Sequence, residues 1–186
     1  MRPHPWRRTL SRSSAASDVD TTQISGGANT VVEMRNGDIT RMNPYSLMSD
    51  PMDQTAYTIS VRRDDEGRGG SLFMHNNVKV GDRMVVSNPV NLFSLDLRAK
   101  KHLFLAGGIG ITPFLAQIKQ LERFNGNWEL HYACRNAALG SYVDELTDHY
   151  PNATHVYYDD NDQRIDLVNL LDGQPLGTHI YVCGPK

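Results

Sequence analysis

The sequence is poor in cysteine, in long apolar runs and in net charge. Only two of its 186 residues are cysteines, Cys134 and Cys183. Two thiols do not supply a disulfide framework, a four-ligand zinc site or an iron–sulfur site. No apolar run approaches the ~20 residues of a membrane helix, so we expect no membrane span. The formal net charge of −2 argues against binding to nucleic acid, because phosphate backbones select basic surfaces.

The chain divides by composition into three stretches. Residues 1–25 begin with a basic, serine-rich segment, which is typical either of a transit peptide or of a disordered or atypical N-terminus. We favour the second interpretation and expect no strand there. Residues 26–98 contain short alternating strands separated by turns, which predicts an antiparallel sheet or barrel. In residues 99–186 strands alternate with helices, which predicts a parallel sheet with right-handed crossovers.

The strongest local motif is the segment Phe104–Pro113, which reads FLAGGIGITP. A buried strand ends in glycines, and a helix follows with Thr112 as the expected N-cap and Pro113 at its first position. Glycines let a ligand approach the backbone closely, and a helix N-terminus attracts anions. The segment therefore suits a pyrophosphate, although its spacing is not that of the G-x-G-x-x-G fingerprint. A glycine-rich turn without a ligand is the alternative.

A second motif, Cys183-Gly184-Pro185, directly follows an apolar strand. In a parallel α/β sheet, ligands bind beyond the carboxyl ends of the strands, where this motif and the glycine-rich segment both lie. A polarizable sulfur beside a glycine suits the face of a flat ring. An ordinary turn at the end of a strand is the alternative.

Two further motifs lie in the β-rich part. Tyr45-Ser46 offers an aromatic ring beside a hydroxyl, and the alternative is a core tyrosine with an exposed serine. The segment Gly67–Ser71 reads GRGGS before a short helix that we expect Ser71 to cap. Its backbone N–H groups, the hydroxyl and Arg68 form a compact cradle for an anion. The alternative is a charged loop.

Together these motifs carry a family resemblance. Tyr45-Ser46, Gly69–Ser71, Gly107–Pro113 and Cys183–Pro185 occur in the order and spacing of the ferredoxin–NADP reductase superfamily. More narrowly, the chain resembles the group of phthalate dioxygenase reductase and vanillate O-demethylase reductase, from about residue 26 to the last residue. The resemblance implies an antiparallel β-barrel that holds flavin, N-terminally incomplete here, followed by a parallel α/β nucleotide-binding domain. It also implies that full-length family members carry a ferredoxin domain with a 2Fe–2S cluster. We expect this chain, with its two cysteines, not to bind that cluster.

The resemblance implies specific roles for the flavin-binding residues. Tyr45 would pack on the isoalloxazine ring, and Ser46 would hydrogen-bond near flavin N5, the hydride acceptor. Gly70 and Ser71 would bind the phosphate of FMN, with FAD the less favoured flavin. Ser46 is thus one expected catalytic residue.

For the second domain the resemblance implies a site for NADH, with NADPH as the alternative. The dinucleotide would be held by the glycine-rich segment at Gly107, Gly108, Gly110, Thr112 and Pro113. Cys183, with Gly184, would lie near nicotinamide C4, which makes Cys183 the second expected catalytic residue. The flavin performs the redox chemistry, and the protein positions two rings so that hydride passes between them.

The sequence departs from the family pattern at the position two before Tyr45. The family has arginine there, whereas this chain has Asn43, and the nearest arginine is Arg41. Either Arg41 reaches the phosphate from a bulged strand or phosphate binding is weakened, and Arg68 is an alternative cation. We also expect the first barrel strand to be missing, because no recognisable version precedes Gly26.

We therefore expect a flavin-dependent NAD(P)H oxidoreductase, the reductase component that passes electrons towards an oxygenase or a separate ferredoxin. The short chain is interpreted as a fragment of a longer gene product located in the cytoplasm. One alternative is a stand-alone short flavin reductase, and another is a non-catalytic fragment that no longer binds flavin. We expect no metal site: the acidic run at residues 159–162 lacks calcium-loop spacing, and no histidines have helical ligand spacing.

Overall fold

The computed structural model describes residues 7–11, 25–53 and 55–185, and for residues 7–11 it describes the backbone. The chain forms two compact units, one that ends at Ser94 and one that begins at Leu95. We expected a disordered or atypical N-terminus over residues 1–25. Of these, residues 1–6 and 12–24 lie outside the described residues.

The first unit is built from antiparallel β-structure and one short helix. Its strands and helix are β1 (Arg7–Ser11), β2 (Asn29–Asn36), β3 (Ile39–Ser46), β4 (Ala56–Ser60), α1 (Gly70–Asn76) and β5 (Val85–Val86). One sheet pairs β1 with β4, and a second has the order β3-β2-β5. Pro44 lies in β3 at an edge of the second sheet, where proline's missing N–H removes least from the ladder.

The strand β1 corrects an expectation. No strand was expected before Gly26, but Arg7–Ser11 pairs antiparallel with all of β4, from Arg7 opposite Ser60 to Ser11 opposite Ala56. Strand formation depends strongly on the partner that is available, and β4 offers a complete ladder of backbone groups. The basic, serine-rich composition of this segment carries little signal of its own, which is why the prediction was wrong.

The core of the first unit follows the two-residue period of a half-buried strand. In β2, Thr30, Val32 and Met34 are buried and their neighbours are more exposed. Met74 of α1 is fully buried in the same core. The cluster comprises Ala28, Val32, Met34, Leu47, Tyr57, Ile59, Val61 and Met74.

The second unit is a four-stranded parallel sheet with helices, as its alternating pattern predicted. Its main elements are β6 (Lys101–Gly107), α2 (Thr112–Arg123), β7 (Trp128–Cys134), α3 (Val143–His149), β8 (Thr154–Tyr158), α4 (Leu167–Asp172) and β9 (Thr178–Cys183). The strand order is β8-β7-β6-β9, and each neighbouring pair is parallel. The carboxyl ends of β6 and β9 are therefore adjacent, with Ala106 opposite Cys183.

One face of this sheet packs on α2. The rings of Phe104 and Phe114 have centroids 4.8 Å apart, and both side chains are fully buried. Ile118 and Leu121 continue the buried stripe of α2 at helical spacing. This packing fixes where α2 begins relative to the end of β6.

Both expected helix caps were wrong. The N-cap of α1 is Gly69, in the left-handed conformation, and Ser71 lies inside the helix. A 3₁₀ turn at Gly108–Ile111 precedes α2, so Thr112 is already helical and its hydroxyl donates to the Ile109 carbonyl. An N-cap side chain accepts a hydrogen bond from a backbone N–H in the first turn of its helix. The Ser71 and Thr112 hydroxyls instead bond to the backbone of Asp64 and Ile109. Among the described helices, none is long and apolar enough to cross a membrane.

Candidate functional site

The first candidate site lies where β3 faces the start of α1. Arg41, Asn43 and Tyr45 occupy alternate positions of β3 and so project from the same face. The Arg41 side chain donates from Nε to the backbone carbonyl of Arg68. The strand thus brings a guanidinium and an amide to the GRGGS segment that the sequence singled out.

Two glycines allow this close approach. A Cβ on Gly70 would lie 2.5 Å from the side-chain nitrogen of Asn43, and one on Gly69 would lie 3.6 Å from Arg41. Gly69 also has φ of +89°, a conformation that other residues adopt at a cost. The backbone N–H groups at the start of α1 lack partners within the helix, so the site combines N–H donors with a cation. This donor set fits a phosphate group.

Strand β3 lacks the bulge from which Arg41 was expected to reach a phosphate. The pairing of β2 with β3 is regular from Asn29 opposite Ser46 to Asn36 opposite Ile39, so Arg41 reaches the GRGGS segment without a bulge. Asn43 lies against Gly70 on the same face. The side chain of Ser71 is bonded instead to the backbone of Asp64, by an N–H at 3.1 Å and a carbonyl at 3.3 Å.

Tyr45 and Ser46 end strand β3. Tyr45 packs partly buried against the core of the first unit, and the Asn43 side-chain nitrogen lies 3.4 Å from its hydroxyl oxygen. Burial raises the pKa of the Tyr45 phenol, which the hydrogen bond from Asn43 only partly offsets. The ring is therefore neutral at physiological pH and held by its edge. Ser46 follows at the partly exposed end of the strand.

The second candidate site lies at the carboxyl ends of β6 and β9. A Cβ on Gly107 would stand 3.0 Å from the Pro185 ring, and one on Gly184 would stand 3.1 Å from the Gly107 Cα. A Cβ on Gly110 would overlap the carbonyl of Cys183. The glycine-rich segment and the Cys-Gly-Pro motif are thus packed together through their backbones. The contacts of Asn43, Gly69 and Pro185 join segments distant in the chain, so no local sequence pattern indicates them.

Within this second site Gly108 has a different environment. Its φ is +52°, and a Cβ built on it would meet no atom within 4 Å. Gly110, Thr112 and Pro113, by contrast, are buried. Open space therefore lies beside the Gly108 Cα, whereas Gly110 packs directly on the backbone of Cys183.

Cys183 supplies a neutral sulfur at this edge of the sheet. The residue is partly buried, and burial raises the pKa of its thiol. A thiol that stays protonated at neutral pH is a poor nucleophile, so its surface acts as a small, polarizable contact.

An acidic turn lies beside the carboxyl end of β7. Asp160 donates its backbone N–H to the Arg135 carbonyl at 2.9 Å, and its side chain accepts from Asn136 at 2.8 Å. The turn Asp159–Asn161 directly follows β8, the neighbour of β7. The turn thus places carboxylate oxygens at the carboxyl edge of the sheet.

Comparison with known proteins identifies the family of the chain. The family model described as "Dimethylamine monooxygenase subunit DmmA-like, N-terminal domain" matches residues 84–186, more than half of the chain. The chain belongs to this DmmA-like family. It is 46% identical over 165 residues to the carnitine monooxygenase reductase subunit of Escherichia coli, an alignment that covers 88% of the chain and 51% of that protein.

Two further matches extend the comparison. The chain is 47% identical to the heme-dependent oxidative N-demethylase beta subunit of Ectopseudomonas mendocina, over 88% of the chain and 52% of that protein. The solved structure of phthalate dioxygenase reductase, described as modular for electron transfer from pyridine nucleotides to [2Fe–2S], superposes with a TM-score of 0.86. The two sequences are 33% identical, and the superposition covers 97% of this chain and 56% of the reductase.

These matches confirm the predicted family and fold class. The expected resemblance to phthalate dioxygenase reductase and vanillate O-demethylase reductase is confirmed, as is an antiparallel flavin-type β-domain followed by a parallel α/β domain. The chain spans about half the length of the curated relatives it matches.

Proposed function

We propose that the chain is the flavin- and nucleotide-binding part of an oxygenase reductase. It takes hydride from NADH onto FMN and passes electrons towards an oxygenase component, directly or through a separate ferredoxin. The observation that carries this proposal is the packing of Gly107 and Gly110 on Cys183 and Gly184 at the carboxyl edge of a parallel sheet. That edge is where open α/β sheets bind nucleotides.

In this proposal the first unit binds FMN. Arg41 and the N–H groups around Gly70 hold the phosphate, and Asn43 lies beside them. One guanidinium beside one short glycine turn suits a terminal phosphate, which favours FMN over the longer pyrophosphate of FAD. Bound flavin supplies the redox chemistry, because it accepts two electrons together and releases them singly.

The chain's own residues orient the reactants. Tyr45, anchored at its hydroxyl by Asn43, offers an aromatic face for the flavin ring. Ser46 offers a hydroxyl that donates a hydrogen bond near the position that receives hydride. On the second unit Gly108 admits the dinucleotide backbone, and the neutral Cys183 thiol contacts the nicotinamide without reacting with it.

We infer that the preferred nucleotide is NADH. Asp160 and its neighbour Asp159 lie at the end of the sheet where Arg135 would otherwise favour a 2′-phosphate. Repulsion between those carboxylates and the phosphate dianion opposes NADPH.

A second candidate is a non-catalytic fragment that has lost flavin. Its motivation was a missing first strand and the Asn43 substitution. The pairing of Arg7–Ser11 with β4 argues against the first reason. The hydrogen bond from Arg41 to the GRGGS backbone supports a cation at the proposed phosphate site despite Asn43. Titration of the purified chain with FMN, FAD and riboflavin separates the candidates. The proposal expects FMN to bind most tightly, and a protein that binds none of the three would contradict it.

A further inference from the structure

A cluster of polar side chains spans three neighbouring strands of the parallel sheet. Its members lie on the sheet face opposite the one that Phe104 presents to α2, and they are Lys101, Glu129, His131, His155 and Tyr157. The parallel register places Leu103 opposite Glu129 and His131 opposite His155. Because side chains two apart on a strand share a face, all five project to the same side.

The cluster is centred on the Glu129 carboxylate. Its Oε1 lies 2.9 Å from His131 Nε2 and 3.1 Å from His155 Nε2. Its Oε2 accepts a hydrogen bond of 2.5 Å from the Lys101 ammonium. One carboxylate oxygen is thereby committed to lysine, and the other faces two imidazole nitrogens.

We propose that Glu129, His131 and His155 form a binding site for Zn²⁺ or a similar late first-row divalent metal. One ligand atom from each residue lies within 4.8 Å of the other two. Zinc with ligands at about 2.0–2.2 Å holds tetrahedral neighbours about 3.3 Å apart. The separations of 2.9 and 3.1 Å from Glu129 Oε1 are close to this value. The His131 and His155 rings are stacked with centroids 4.7 Å apart, so both imidazoles must rotate for their Nε2 lone pairs to point at one ion.

The surroundings of the cluster match those of a metal site. The Nδ1 of His131 lies 2.8 Å from the Tyr157 hydroxyl, which both donates and accepts. When Nε2 binds a metal, Nδ1–H donates to Tyr157, the outer-shell arrangement that orients metal-bound histidines. Lys101 fixes the carboxylate in the same way and leaves Oε1 as a single-atom ligand.

The ligand set selects the metal and leaves room for a further ligand. Two imidazoles with one carboxylate suit zinc, cobalt, nickel or copper, whereas Mg²⁺ and Ca²⁺ prefer oxygen ligands alone. The His131 side chain is 6% exposed and that of His155 is 43% exposed, so a fourth position faces solvent. The ligands come from two strands, which is why spacing along the sequence did not reveal them.

The site is separate from the proposed nucleotide site. The glycine-rich segment and Cys183 follow β6 and β9, whereas the metal ligands lie within β7 and β8. A metal here would link β8, which lies at the edge of the sheet, to β7. Binding should therefore raise the thermal unfolding temperature, because the ligand binds the folded state.

Titration of the tag-free protein with CoCl₂, followed by competition with ZnCl₂, tests the proposal. Cobalt in a His₂–carboxylate site should give visible absorption bands at one equivalent, and zinc should abolish them. Loss of an outer-shell partner costs about 10–100-fold in metal affinity, so we expect about 10-fold weaker cobalt binding in Tyr157→Phe. His155→Ala removes a ligand itself and should weaken cobalt binding by at least about 100-fold.

A matched control uses another strand of the same sheet. His179 of β9 is as exposed as His155, at 43%, and its Nδ1 lies 4.0 Å from a single carboxylate oxygen of Asp96. His179→Ala should keep the cobalt spectrum and the zinc-induced rise in unfolding temperature. Absent cobalt bands, or an affinity that is the same in wild type and His155→Ala, would overturn the proposal. Because His155 is exposed, its substitution leaves folding intact, which circular dichroism verifies.

Discussion

The backbone of Gly110 lies directly against the carbonyl of Cys183. A Cβ at position 110 would overlap that carbonyl and stand 2.8 Å from the Gly184 Cα. The glycine-rich segment after β6 and the motif after β9 are therefore parts of one packed edge. Any residue larger than glycine at position 110 must push these two loops apart.

This contact predicts different effects for two neighbouring glycines. Gly110→Ala should lower the unfolding temperature by several degrees without any ligand, because backbone atoms must move. Gly108→Asn should change the unfolding temperature little, since asparagine tolerates positive φ and the space around Gly108 is open. Its side chain should instead raise the KM for NADH about tenfold or more.

Differential scanning calorimetry and NADH-dependent flavin reduction measure the two effects. Flavin affinity, measured on the same two variants, is the internal control and should stay constant in Gly108→Asn. An unchanged KM in Gly108→Asn would mean that the open side of this loop does not contact the dinucleotide.

Arg41 should act on the phosphate of the flavin and not on its ring. Hydrogen bonds to a charged group contribute about 1.5–3 kcal/mol, so Arg41→Gln should weaken FMN binding by about 10–100-fold. Riboflavin has no phosphate, and its affinity should be the same in both proteins. Fluorescence quenching measures both ligands.

The control for Arg41 is Arg83→Gln, which removes the same charge from an exposed position of the first unit. It should leave FMN affinity within about twofold of wild type. If Arg41→Gln lost affinity equally for FMN and riboflavin, Arg41 would contact the flavin ring or support folding and would not bind the phosphate.

Much of the fold follows from local patterns. The largely apolar run Trp128–Cys134 forms one strand with those bounds, because a short apolar run between turn residues favours a buried strand. The contrast between alternating strands before Ser94 and strand–helix alternation after Leu95 also identifies the two architectures.

The parts that sequence could not predict depend on partners distant in the chain. Strand β1 exists because β4 offers a ladder, and Ser71 bonds to Asp64 instead of capping α1. The approach of Asn43 to Gly70 depends on how β3 lies against α1. These are contacts between elements, and no short-range pattern encodes them.

We expect Cys183 to contact the nicotinamide as a neutral thiol and not to react as a thiolate. Burial raises the pKa of its thiol above the ordinary value, so the thiol stays protonated from pH 6 to pH 8. Cys183→Ala should slow flavin reduction about tenfold, with a pH profile that shows no thiol ionisation in that range. Iodoacetamide should react with Cys183 more slowly than with free cysteine.

NADH should protect Cys183 further against alkylation, as peptide mass spectrometry would show. Cys134 is buried and serves as the internal reference that NADH does not affect. Fast alkylation of Cys183 at neutral pH would contradict its assignment as a neutral contact.

The acidic turn should set the choice of nucleotide. We expect wild-type kcat/KM to favour NADH over NADPH by at least about tenfold. One surface charge contributes on the order of 1 kcal/mol, so Asp160→Asn should narrow that preference about fivefold. Asp172→Asn, an exposed acid on α4, should leave it unchanged. A wild type that uses NADPH equally well would refute this role.

The central claim is that this chain binds FMN and reduces it with NADH. The most direct measurement is anaerobic stopped-flow absorbance near 450 nm after the FMN-loaded chain is mixed with NADH. The account predicts rapid bleaching of one flavin per chain, slowed in Gly108→Asn at low NADH concentration. A flavin that remains oxidised in the presence of excess NADH, with FMN demonstrably bound, would contradict it.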